Sequence, residues 1–173
     1  SSLVSGNTLH VAPGGQHQPP FDSWTTAATN IVSAVGAALP GDTVLVSNGL
    51  YAIRSLIYVG KGIHVKSTGG AAQTVVHGSY TSACFQIMHP EAIVEGFTLT
   101  GGRGRMGGAV FMSEGATLRD CVVTGNISSL MGGGGIYLNI GGTVSNCLIA
   151  DNQASADGDG DRIYMHRDGV LAN

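Results

Sequence analysis

The sequence is poor in charge. Only 11% of its 173 residues are Asp, Glu, Lys or Arg, and the eight Lys and Arg are scattered along the chain. That excludes the clustered basic footprint a nucleic-acid partner requires. Nor does any apolar run approach the ~18 residues of a membrane span. Cysteine is scarce and odd in number: Cys84, Cys121 and Cys147. Three cysteines cannot complete an internal disulfide framework, and no CxxC or Cys/His pairing points to zinc. They read as small buried hydrophobes.

Glycine, by contrast, is abundant, at 28 of 173 residues, against a usual share of roughly 7%. It has no three-residue period, so the chain is not collagen. A hydrophobic content of 43% with a net charge of −3 is not the composition of disorder. Helical proteins avoid so much glycine, so the glycines punctuate turns. The length suits one domain.

The punctuation is periodic. "VFMSEGATLRDCVVTGN" from Val110 aligns with "IYLNIGGTVSNCLIADN" from Ile136 and with "IYMHRDGVLAN" from Ile163. Val110 to Ile136, Cys121 to Cys147 and Asn126 to Asn152 are each 26 residues, and Ile136 to Ile163 is 27. An earlier copy, "FQIMHPEAIVEGFTLTGG" from Phe85, puts Phe97 in the place of Cys121, 24 residues before it. Each unit holds two short β-branched segments around a glycine turn, the second bending at Asn146. So small a unit cannot bury its own apolar face, but stacked copies can. The repeat therefore predicts an all-β solenoid, a parallel β-helix, with rungs about 4.8 Å apart. Asn146 and its equivalents Asp120 and Asn173 suit left-handed turn positions. Cys121 and Cys147 should stack inside beneath Phe97, their thiols pointing the same way and unbridged.

The front end differs. "TLHVAPGG" reads as strand and turn. Phe21–Asp42 reads as one amphipathic helix, capped by Asp22 or Ser23, with Ala27, Ile31, Ala34, Val35 and Ala38 on its apolar stripe and Pro40-Gly41 ending it. Such a helix would cap the first coil, with Trp24 packed at its start. Asp42 in "PGDT" reads as a turn residue. The expectation is a single domain over 1–173, with the cap at about 8–50 and the coils at about 51–173. The repeat calls for another cysteine and strand after Asn173. That suggests the N-terminal part of a larger protein, or end-to-end self-association through an open last coil.

"HVAPGG…SWTTAATNIVSAVGAALPGDTVLVSNGLY", then "GFTLTGG", then "GGGIYLNIGGTVSNC", resembles the right-handed parallel β-helix proteins of the pectin-lyase-like superfamily. The likeness is greatest to their secreted or surface bacterial members and covers residues 8 to 173. It implies an N-terminal capping helix, a place outside the cell and a polysaccharide or cell-surface glycan as partner. The superfamily holds polysaccharide lyases, galacturonan hydrolases, tailspikes and adhesins, so fold alone implies little chemistry.

The candidate residues follow from stacking. The segments "GGRGRMGG", "NISSLMGGGG" and "NQASADGDGDR" read as loops on one side of the solenoid, placing Arg103 and Arg105 two rungs from Asp157, Asp159 and Asp161. Three carboxylates at alternate positions in a glycine-rich loop can converge on Ca2+. Asp168 is the twelfth residue from Asp157, as in an EF-hand loop, but Arg162 replaces the invariant glycine. His64 and Lys66 alternate with Ile63 and Val65, so they point outward, where they can touch a glycan with Glu95. Glu91, four residues before Glu95, reads as lying on the same strand face. Arg119 stands one rung from Glu95, as a ladder ion pair. By the resemblance, Arg103, Arg105 or Arg119 would serve as the base in cation-assisted β-elimination of a uronate glycan. Gly132–Gly135 is a turn and not a nucleotide cradle, because no helix follows it. Low charge, repeat shape and the lack of a convincing catalytic set favour a structural or carbohydrate-binding module. A uronate lyase is the alternative.

Overall fold

The computed structural model describes residues 6–154 and 163–172. The chain opens with β1 (Thr8–Val11) and α1 (Ile31–Ala37). A first coil follows of β2 (Thr43–Val46), β3 (Gly49–Ala52) and β4 (Ile57–Val59), then a second of β5 (His64–Ser67), β6 (Thr74–His77) and β7 (Phe85–Ile87). The next coil holds β8 (Ile93–Glu95), β9 (Thr98–Thr100), β10 (Arg103–Met106) and β11 (Val110–Met112). After it come β12 (Thr117–Arg119), β13 (Val122–Thr124), β14 (Ile127–Met131) and β15 (Ile136–Leu138). The described strands end with β16 (Thr143–Ser145), β17 (Leu148–Ala150), β18 (Ile163–Met165) and β19 (Val170–Ala172).

Every pairing among them is parallel and joins one coil to the next. Sheet A runs β1-β2-β5-β8-β12-β16-β19, sheet B runs β3-β6-β9-β13-β17, and sheet C runs β4-β7-β11-β15-β18. The chain is thus a β-solenoid, and the register is the one the repeat dictates. Val110 pairs with Ile136 and Ile136 with Ile163. The bend at Asn146 divides the second segment of each unit into a sheet A and a sheet B strand, so a coil has three sides. Asp120 and Asn146 sit there at φ 54° and 49°, a left-handed conformation that Asx residues tolerate.

Alternation fills the interior. The middle residues of β8, β12 and β16 are buried inside (Val94, Leu118, Val144), and so are the two end residues of β7 and β11 (Phe85 and Ile87, Val110 and Met112). Cys121 and Cys147 follow Asp120 and Asn146 in register and are unbridged. The Phe97 N–H donates to Cys121 Sγ at 3.5 Å.

The helix is shorter than its stripe suggested. Asp22 and Ser23 do not cap it. Asn30 does, accepting the Ser33 N–H on Oδ1 at 2.8 Å. Ser23 and Asp22 instead bind the Thr26 hydroxyl in a turn. All five stripe residues are nevertheless buried, because the segment before Asn30 packs on β1 without being helical. α1 lies against β1, β2 and β4. Lys61 Nζ closes its C-terminus by donating to the Gly36 and Ala38 carbonyls, where a cation also suits the helix dipole. Asp42 is a buried turn carboxylate that accepts the Asn7 and Leu39 N–H groups at 2.7 and 2.8 Å. Trp24 does not anchor the helix start. It lies edge-on to His10, with 44% of its surface exposed.

Candidate functional site

Two groups of candidate residues come together, on different sides of the solenoid. The first stands on the outer face of sheet A, where Lys66 pairs with Glu95 and Glu95 with Arg119. Glu95 Oε2 accepts from Arg119 Nε at 2.8 Å, from Arg119 Nη2 at 2.6 Å and from His64 Nε2 at 2.9 Å. Lys66 Nζ approaches Oε1 at 3.0 Å. Burial pushes the Glu95 carboxyl up. Hydrogen bonds from Lys66 and Arg119, with the charges of Arg119 and His64, outweigh it and hold the group down to about 2. Burial lowers the His64 imidazole against the pull of Glu95, so at neutral pH this contact is a hydrogen bond from a neutral ring. The ladder pair of Glu95 and Arg119 is present as expected, and it has gained two further members. A carboxylate engaged on both oxygens has little capacity left for a ligand. A guanidinium tied to it stays charged and cannot act as a base. Glu91 is not a strand neighbour of Glu95, since it sits in the turn before β8.

The second group involves segments that sequence patterning assigned to loops. Residues 103–106 and 127–131 are β10 and β14, and they pair as a two-stranded sheet along the side of the solenoid. An extra residue in β14 breaks the register opposite Arg105. Gly104 is buried, while Arg103 and Arg105 on either side of it are exposed, as alternation requires. Between β10 and sheet C lies a groove of about 320 Å³, lined by Leu56, Ser82, Ala83, Phe85, Gln86, Arg103, Gly104, Arg105, Met106 and Phe111. Among the described residues, neither Arg103 nor Arg105 has a carboxylate partner.

The groove interrupts an aromatic column. Along the outer face of sheet C the register sets Tyr58, Gln86, Phe111, Tyr137 and Tyr164 in line. Phe111 stacks on Tyr137 with ring centroids 5.6 Å apart, and Tyr137 on Tyr164 at 5.0 Å. Gln86 is the one rung in that line without a ring. This column was legible in the 26- and 27-residue spacing of Phe111, Tyr137 and Tyr164, but the outward positions singled out from the sequence were the charged ones of sheet A.

Asp157, Asp159 and Asp161 lie outside the described residues. Asp168 is exposed in the bend between β18 and β19. Among the described residues, no three His, Cys, Asp or Glu side chains are grouped to hold a metal ion. Nor, among the described residues, is any helix long and apolar enough to cross a membrane. The fold places the chain in the class of parallel β-solenoids. Comparison with protein-family models, curated proteins and solved structures gave no match.

Proposed function

We propose that this solenoid is a carbohydrate-binding module, exported or displayed at the cell surface, that takes an anionic glycan in the groove between β10 and sheet C. The observation that carries the reading is the pair of exposed guanidiniums, Arg103 and Arg105, without a carboxylate partner among the described residues and set beside Phe111 in the groove lining. Arginine recognises carboxylate in a planar, forked geometry, and an aromatic face suits the apolar side of a sugar ring. Binding is preferred to β-elimination because exposed guanidiniums remain protonated at neutral pH, and Arg119 is held by Glu95. The resemblance of the front motif and the repeat to the pectin-lyase-like superfamily agrees with a uronate ligand.

Affinity electrophoresis in gels containing polyuronate or neutral polysaccharide tests this. The protein should be retarded by the polyuronate alone, and the double substitution R103Q/R105Q should abolish the retardation while R119Q leaves it. Equal migration in all gels would remove the glycan reading. Release of unsaturated uronate, followed by its absorbance and abolished by EDTA, would replace binding with elimination.

A further inference from the structure

Beside the groove, the aromatic column of sheet C is open on one side of Gln86 and closed on the other. Tyr58, one rung before Gln86, is 56% exposed, whereas Tyr137, one rung beyond Phe111, is 4% exposed between its two stacked neighbours. The wall formed by β10 continues into β14 beside the closed end and has no counterpart in the coils of β4 and β7. Gln86 and Phe111 both line the groove, and the missing ring at Gln86 leaves a slot against Phe111 on the side away from Tyr137, with Tyr58 two rungs, roughly 10 Å, from Phe111.

We infer that this slot receives the terminal residue of an acidic glycan and does not bind the middle of a polymer. The inference rests on the proposed glycan reading. A terminal ring stacks on the free face of Phe111 and completes the interrupted column. Its carboxylate faces Arg103 and Arg105, and the Gln86 amide, which offers both a donor and an acceptor, meets its hydroxyls. The rest of the chain leaves past Tyr58. Along the column a polymer cannot continue, because the next rung is already occupied by Tyr137.

Calorimetric titration of the whole chain with oligogalacturonates of one to six residues, and with a long polygalacturonate, tests the inference. Affinity should level off after about two or three residues, once the enclosed part of the ligand is complete, and the polymer should take up one protein per chain whatever its length. Affinity that keeps climbing with length, with many proteins per polymer chain, would overturn the terminal assignment and leave the glycan reading intact. No binding of any oligomer or of the polymer would overturn both. Q86F supplies the missing ring from the protein itself. It should weaken oligomer binding at least tenfold with an unchanged or raised melting temperature, and unaltered binding by a folded Q86F would place the ligand elsewhere.

Discussion

The side-chain amide of Asn126 lies directly over that of Asn152, donating to its Oδ1 at 2.9 Å, and the same Oδ1 also accepts the Asn126 backbone N–H at 3.1 Å. One coil earlier the relation repeats, with Asn126 Oδ1 accepting the Gly102 N–H at 2.8 Å. Each asparagine thus satisfies the backbone of the coil before it, at a corner where no sheet ladder does so. Asn126 is fully buried and also donates to the Leu99 and Thr124 carbonyls.

Asn126→Ala should therefore cost about 3 kcal/mol, since it strands several buried backbone and side-chain groups at once. Asn152→Ala leaves fewer groups without partners and should cost less. Urea unfolding gives both values. A loss below about 1 kcal/mol for Asn126→Ala would mean that water replaces the ladder.

The Glu95 cluster predicts acid sensitivity. The Glu95 carboxyl is held at about 2 in the fold against an ordinary value of 4.5. Its contribution is thus complete above pH 4.5 and is lost as pH falls towards 2, because the unfolded chain takes up the proton first. His64, lowered in the fold from 6.5, works in the same direction from a higher pH, its part fading as pH falls below 6.5. Glu95→Gln should be less stable than the parent at pH 7, with the gap closing by pH 2. It should also lower the His64 pKa further, by removing the carboxylate that favours its charged form. Urea midpoints across pH, with NMR titration of His64, report both effects.

The three thiols should differ in reactivity. Burial pushes Cys84 up to about 12 and raises Cys121 well above the usual thiol range. A hydrogen bond with Cys121 pulls Cys147 down, outweighing the effect of its partial burial. Ellman's reagent should modify one thiol in the native protein, Cys147, and all three in denaturant. Rapid labelling of Cys84 in the native state would contradict the sealed interior.

Gly107 and Gly133 are equivalent residues 26 apart, at φ 70° and 77°. A Cβ there would collide with the carbonyls of Val110 and Ile136 respectively. Gly133→Ala combines a left-handed φ with a backbone clash and should destabilise by more than about 2 kcal/mol. By contrast, Gly14 has open space around its Cβ position, and Gly14→Ala should change stability by less than about 0.5 kcal/mol. Thermal melts of the two variants make the comparison.

The coils were legible because inward residues recur at a nearly fixed interval, and a solenoid places that interval directly over itself. The pairing of Val110 with Ile136, the left-handed Asp120 and Asn146, and the Glu95–Arg119 pair all follow from it. What escaped was structure without hydrophobic alternation. In β10 the residues are Arg-Gly-Arg-Met, whose strand character comes from pairing with β14 and not from local preference. The helix was overextended because Ala27, buried without being helical, falls in step with the stripe of Ile31, Ala34, Val35 and Ala38. Arg103 and Arg105 were singled out from the sequence, but the wall that sets them over a groove was not.

The outer edge of β1 has a consequence of its own. The His10 N–H is taken by the Phe21 carbonyl, while the His10 carbonyl accepts from Ala28, and the Ala12 N–H reaches the Ala28 carbonyl. The segment that failed to become helix is thus a selvedge, a woven border that stops the fabric from unravelling. A stray extended peptide meets His10 and Ala12 already engaged on that flank, so templated misassembly is opposed there by the chain's own backbone.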